Sequence, residues 1–178
     1  MKRILALTTI VVMSLAASGV LLAQDNPFVG TWKLNVAKSK YVGEQRPKSA
    51  TRTVVAQGNG LEIIYEGIAE DGSTISYSVT SHLDGKETPY SGRQPFGADS
   101  LAIKRVDSNT LTSISTKAGK KLFTTKWIVS KDGKVATLNT IGVNAEGKPI
   151  SVTTVWYKQS NDTAHTVDPP HWKQPNTP

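Results

Sequence analysis

The chain has 178 residues, of which 38% are hydrophobic, and it carries 21 Lys and Arg against 14 Asp and Glu. This length and composition are typical of one soluble domain, and the lack of Cys excludes disulfides, a thiol nucleophile and zinc fingers. The net charge of +7 is scattered without interleaved aromatic residues, so we expect no nucleic-acid partner.

The N-terminal segment has the pattern of a secretory signal peptide. Two cationic residues precede an apolar run from Ile4 to Leu15, and small residues follow through Ala23. We predict a signal peptide over residues 1–23, with cleavage after Gly19 as the alternative. The apolar run is shorter than the ~20 residues of a membrane span. Since no lipobox cysteine is present either, we expect a periplasmic or secreted protein without a stable membrane anchor.

Residues 24–159 form the predicted folded domain, in which turn residues recur at short, regular intervals. Asp-Gly and related pairs between β-forming residues are typical of tight hairpin turns. The predicted turns are Gly58-Asn59-Gly60, Asp71-Gly72, Asp84-Gly85-Lys86, Phe96-Gly97, Asp107-Ser108-Asn109, Ala118-Gly119-Lys120, Asp132-Gly133-Lys134 and Glu146-Gly147-Lys148. The predicted strands are Val29–Val36, Thr51–Gln57, Leu61–Ala69, Thr74–Leu83, Glu87–Tyr90, Leu101–Val106, Thr110–Lys117, Lys121–Ser130, Val135–Val143 and Ile150–Lys158.

The short connections between these strands predict antiparallel neighbours, because a parallel crossover needs a longer connection. So many sequential strands exceed what an open twisted sheet accommodates. We therefore predict an all-β fold, an antiparallel up-and-down meander closed into a barrel of about 8–10 strands. The only helical candidate is Asn35 to Tyr41, which lies in the longest connection, from about Val36 to Ala50.

Alternating apolar and polar residues predict that each strand turns one face to the interior. Fourteen Thr and twelve Ser lie between Ser49 and Lys158, so some of them, such as Thr125, must also point inward. Small hydroxyl side chains do not fill a wide barrel, and we therefore expect an internal cavity. The apolar sets that share a face are Leu61, Ile63 and Tyr65; Ile75, Tyr77 and Val79; and Phe123, Trp127 and Val129.

Residues 160–178 are polar and rich in Pro, a composition that predicts a disordered tail. Asp162, His165, Asp168 and His171 share a three-residue spacing in this tail. Because prolines interrupt the segment, it is not expected to form the helix that would bring these side chains together. We therefore predict no metal site.

The opening of the domain resembles a known family. Gly30-Thr31-Trp32, within the run Asn26 to Leu34, is similar to the Gly-x-Trp of the first strand in lipocalins and fatty-acid-binding proteins of the calycin superfamily. Together with the hairpins and the ending Val155-Trp156-Tyr157-Lys158, the chain resembles exported bacterial lipocalin-like proteins over about Asn26 to Gln159. The resemblance implies a barrel that holds a small hydrophobic molecule, with Gly30 and Trp32 closing one end.

The sequence departs from that family at two places. Lipocalins commonly place an Arg from near the last strand over the Trp, and this chain has no Arg after Arg105. Fatty-acid-binding proteins typically present an Arg-x-Tyr pair on the last strand to the ligand carboxylate. The matching positions here are Thr154 and Trp156.

No catalytic signature is present. His82 is the only His in the folded part, and no Gly-x-Ser-x-Gly elbow accompanies it, so we expect a protein that is not an enzyme and has no cofactor. Arg105 shares a face with Leu101 and Ile103, so it either binds an anionic group inside the barrel or reaches water at a strand end. The aromatic residues that either line a ligand site or belong to the core are Tyr65, Tyr77, Trp127 and Trp156.

These features predict an exported protein that binds or carries a small apolar or amphipathic molecule in its barrel. The alternative is a structural or interaction module of the cell envelope whose barrel is packed solid and holds no ligand. The two hypotheses differ in whether the interior of the barrel contains a cavity.

Overall fold

The computed structural model describes residues 26–94 and 96–160. The predicted signal peptide lies outside the described residues, as does the predicted tail beyond Ser160 with its metal-ligand candidates. The strands are β1 (Gly30–Val42), β2 (Ser49–Gln57), β3 (Gly60–Ile68), β4 (Thr74–Ser81), β5 (Asp84–Pro89), β6 (Ser91–Gly92), β7 (Ser100–Arg105), β8 (Thr110–Lys117), β9 (Lys120–Val129), β10 (Val135–Val143) and β11 (Pro149–Lys158). Among the described residues, no helix is long and apolar enough to span a membrane.

All strand pairs are antiparallel and join the strands into one sheet, in the order β5-β7-β8-β9-β10-β11-β1-β2-β3-β4-β6. The last strand, β11, pairs with the first, β1, and the sheet curls until β4 lies beside β5 without a ladder between them. The predicted all-β up-and-down barrel is therefore confirmed as a nearly closed barrel. Its eleven strands correspond to the ten predicted segments plus the two-residue β6.

The helical candidate Asn35 to Tyr41 forms no helix, because this segment continues β1, and the predicted first strand therefore extends beyond Val36 to Val42. Its pairing with β11 shifts between Asn35 and Lys40, which marks a bulge. The Asn35 side-chain oxygen accepts a hydrogen bond from the Lys38 amide at 2.9 Å, and the Ser39 hydroxyl donates to the Asn35 carbonyl at 2.7 Å. The Ser39 hydroxyl also accepts from the Val155 amide of β11 at 3.0 Å. These bonds join residues three and four positions apart, as in a helical turn, although the segment is a strand.

The turn predicted at Asp84-Gly85-Lys86 is displaced in the structure. Leu83 adopts a positive φ of 60° and makes the turn itself, and β5 begins at Asp84. The register of β5 against β7 shifts between Asp84 and Glu87, so the Asp-Gly pair forms a bulge at the start of an edge strand.

One end of the barrel is closed by aromatic packing. Trp32 and Phe28 are both fully buried, and the Trp32 indole donates a hydrogen bond to the Phe28 carbonyl at 2.9 Å. The Phe28 ring meets the Trp127 ring edge-on, with ring centres 5.1 Å apart. Trp32, Phe28 and Trp127 therefore pack together at this end of the barrel.

A lysine lies where the family resemblance implies an arginine. The Lys158 ammonium lies 5.0 Å from the centre of the Trp32 ring and donates a hydrogen bond to the Pro27 carbonyl at 3.1 Å. Gly30, whose φ is +129°, leaves room for this contact, because a Cβ there would lie 3.1 Å from the Lys158 side chain. Gly30 thus allows the last strand to cover the Trp.

Lys158→Met keeps most of the aliphatic stem and removes the charge. We expect the free energy of unfolding to fall by about 1–2 kcal/mol, since a cation–π contact and a hydrogen bond to Pro27 are lost. Urea unfolding measures the change, and Lys104→Met, on the exposed face of β7, is the control. Equal stability of the two variants would show that the contact over Trp32 contributes nothing.

Candidate functional site

The barrel encloses a cavity of about 380 Å³ between the aromatic closed end and the turns at the opposite end. The predicted cavity is therefore present. Its walls combine aromatic rings, aliphatic side chains and hydroxyl groups, and its outer rim includes the exposed turn residues Glu70, Asp71 and Ser73. Inward-facing lining residues include Arg52, Ile63, Tyr65, Tyr77, Val79, Tyr90, Leu101, Ile103, Ser113, Ser115, Thr125, Trp127, Leu138, Thr140, Val152 and Trp156.

One wall of the cavity is a row of tyrosines. Tyr65 of β3 and Tyr77 of β4 are cross-strand partners, and their rings stack with centres 4.8 Å apart and planes 10° apart. Tyr90 meets Tyr77 edge-on at 5.5 Å. Strand alternation places Tyr65 and Tyr77 on the same inner face, so this wall follows directly from the sequence pattern.

The opposite wall is built from small hydroxyl side chains on β8 to β11. The hydroxyls of Thr125 and Thr140 are 2.8 Å apart, and the Ser115 hydroxyl lies 3.3 Å from that of Tyr90. The Trp156 indole donates to the Thr154 hydroxyl at 2.8 Å. Because these bonds pair hydroxyls with one another or with aromatic residues, the wall is polar but largely satisfied, and its small side chains leave the space empty.

The tyrosines of the interior are neutral hydrogen-bonding groups at physiological pH. Burial raises the pKa of Tyr65, Tyr77 and Tyr90 above the ordinary value, and it raises the pKa of Tyr41 at the rim to about 12. Within residues 26–94 and 96–160, no three His, Asp or Glu side chains group together to hold a metal ion. The cavity is thus suited to binding through aromatic contact and hydroxyl groups.

The structure brings together four of the five predicted ligand-binding residues. Tyr65, Tyr77, Trp127 and Trp156 all line the cavity. Arg105 does not line it, since this last residue of β7 lies at the closed end with its guanidinium carbon 5.5 Å from the centre of the Phe28 ring. Because β7 ends at Arg105, this side chain packs against Phe28 and does not reach the cavity.

Arg52 is the interior cation that sequence reasoning missed. Its guanidinium carbon lies 4.9 Å from the ring centre of Trp156, 5.2 Å from that of Trp127 and 5.9 Å from that of Tyr65. In β2 it shares the inward face with the buried residues Ala50 and Val54. This placement was the available signal, because the two-residue period of a strand puts positions 50, 52 and 54 on one face.

Comparison with known proteins found no matching family model and no matching curated protein. Among solved structures, the chain is similar to a zebrafish ileal bile acid-binding protein complexed with cholic acid, with 13% identity and a TM-score of 0.45 over 75% of this chain and 99% of that one. A redesigned β-barrel bound to DFHBI has 14% identity and a TM-score of 0.44 over 74% and 95% of the two chains. Lobster apocrustacyanin A1 has 15% identity and a TM-score of 0.41 over 78% and 64%.

Similarities this distant assign neither a family nor a function, so membership of the lipocalin and fatty-acid-binding group stays a prediction.

Proposed function

We propose that the protein binds a small hydrophobic or amphipathic molecule inside its barrel and carries no catalytic activity. The observation that supports this most directly is the cavity of about 380 Å³ inside the barrel, which opens at the rim. Its volume falls within the range of about 300–1,000 Å³ that is common for small-molecule sites. The open rim gives a ligand a route into this space.

The lining defines the kind of molecule that fits. Stacked and edge-on rings of Tyr65, Tyr77 and Tyr90 offer flat apolar surface, and Trp127 and Trp156 extend it toward the closed end. The hydroxyl wall offers orienting contacts on the other side. Apolar surface with a few convergent polar groups is typical of sites for amphipathic molecules.

The alternative hypothesis, a structural module with a solid barrel, required an interior filled by side chains. The cavity counts against that packing. Export to the periplasm or to the medium remains part of our proposal, and it is supported by the signal-peptide pattern of residues 1–23.

Filling the cavity should abolish binding. Ser113 of β8 lies between the inward-facing residues Leu111 and Ser115 and lines the cavity. In Ser113→Trp, the indole occupies this space, and we expect the affinity for the fluorescent apolar probe N-phenylnaphthylamine to fall by about 10-fold or more, equivalent to about 1.4 kcal/mol. Probe titration by fluorescence measures the effect.

The matched control is Ser151→Trp, which places the same ring on the exposed outer face of β11. It should bind the probe like the unmodified protein. Circular dichroism verifies that both variants remain folded. If the unmodified protein gives no fluorescence change, or if both variants bind equally well, ligand binding inside the barrel is refuted.

A further inference from the structure

We propose that Arg52 and Trp127 form a site for the anionic group of an amphipathic ligand whose apolar part lies against the tyrosine wall. This inference rests on the proposed function and specifies its ligand class as an amphipathic oxyanion, such as a carboxylate. The site is at the inner end of the cavity and on β2. It is therefore separate from the last-strand positions that the family resemblance implies.

The charge of Arg52 has no anionic partner in the described part of the chain. No carboxylate oxygen there lies within 4.0 Å of its guanidinium nitrogens, since the two ion pairs found at that distance are Lys86 with Asp84 and Lys148 with Glu146. The three aromatic rings around Arg52 offset part of the cost of removing a cation from water. Arg52 as a whole is half-buried and its Nε is fully buried, so an anion inside the cavity would pair a charge that is partly removed from water.

Two hydrogen-bond donors at this place are also unused. The Arg52 Nε–H and the Trp127 Nε1–H are both buried and have no acceptor among the described residues. Orphaned donors each cost about 1–3 kcal/mol, and buried groups of this kind are uncommon in folded proteins. The guanidinium carbon lies 5.2 Å from the Trp127 ring centre, so a small rearrangement around one oxyanion would satisfy both donors.

The register of the strands sets the orientation of the ligand. Arg52 is the cross-strand partner of Trp32 on one side and of Tyr65 on the other. Arg52 therefore lies between the closed end and the tyrosine wall. An amphipathic anion would enter with its charged group first and leave its apolar part toward the rim.

A matched pair of probes tests the charge preference. Anilinonaphthalene sulfonate and N-phenylnaphthylamine share their rings and differ by the sulfonate. We expect Arg52→Met to weaken binding of the sulfonate probe by about 10- to 100-fold, the range for a charge-assisted hydrogen bond. Binding of the neutral probe should change much less, by about 3-fold or less, because that probe has no anionic group for Arg52 to bind. Lys104→Met removes the same charge from the outer surface, and it should affect neither probe.

A second measurement uses the unmodified protein and so does not depend on the folding of the variant. In nitrogen-15 spectra, decanoate should move the Arg52 Nε–H and Trp127 Nε1–H protons downfield, as an anionic acceptor does, and by clearly more than decanol moves them. Arg52→Lys assigns the arginine signal. Failure of the neutral probe to bind at all would refute the proposed function. If the neutral probe binds but Arg52→Met leaves sulfonate affinity intact, or decanoate moves neither resonance further than decanol does, only the oxyanion site is overturned.

Discussion

Trp32→Ala should lower the free energy of unfolding by about 3–5 kcal/mol, the range for removing a large aromatic side chain from a core. Trp32 is fully buried, hydrogen-bonded to the Phe28 carbonyl and covered by the Lys158 ammonium. Its removal opens a void at the closed end, and the Phe28 carbonyl and the Lys158 ammonium lose their contacts with the indole. Against a typical total of about 5–15 kcal/mol, this loss is large. Urea unfolding followed by circular dichroism measures it.

Val55→Ala provides the control, because Val55 lies on the outer face of β2 with 43% of its surface exposed. A surface substitution of this kind should change stability by no more than about 0.5 kcal/mol. A loss for Trp32→Ala as small as that of the control would show that the aromatic closure does not stabilise the barrel.

The closed end of the barrel contributes mainly to stability, and the middle contributes mainly to binding. The closed end holds fully buried large residues, whereas the middle holds small hydroxyls and partly accessible tyrosines. Arg52 lies where these two regions meet, paired in register with Trp32 and Tyr65. Substitutions at Trp32 should therefore act mainly on unfolding, and substitutions at Ser113 mainly on affinity.

Strand positions were predictable because alternation and turn chemistry are local. The segments Thr110–Lys117 and Val135–Val143 were predicted to the residue, and both are bounded by clear turn signals. The inward set Leu61, Ile63 and Tyr65 was confirmed as buried. Each of these inferences depends only on residues a few positions apart.

Features that depend on distant contacts were not predictable in the same way. The bulge in β1 is stabilised by the Ser39 hydroxyl meeting the Val155 amide, which lies 116 residues further along the chain. Arg52 becomes an interior residue of interest only when Trp127 and Trp156 close around it. The sequence alone places Arg52 on the face of Ala50 and Val54, but it does not show which aromatic side chains surround it.

Raising the pH above 10 should destabilise the folded protein. Burial raises the pKa of Tyr65, Tyr77 and Tyr90 in the folded state, whereas tyrosines of an unfolded chain ionise at about 10. Below pH 10 all three are protonated in both states and their contribution is fully present. As the pH rises through 10, the unfolded state loses protons first, so stability falls by about 1.4 kcal/mol per pH unit for each tyrosine.

The loss of stability should grow as the pH rises further above 10, because Tyr65, Tyr77 and Tyr90 ionise later in the folded than in the unfolded state. Circular dichroism and the absorbance of tyrosinate, followed together against pH, should change in the same transition. Tyr65→Phe should reduce the pH slope of stability, whereas Val54→Ala should shift the curve without changing its slope. Ionisation of these tyrosines near pH 10 in a barrel that stays folded would contradict their burial, because a buried phenol loses its proton at that pH only if water reaches it.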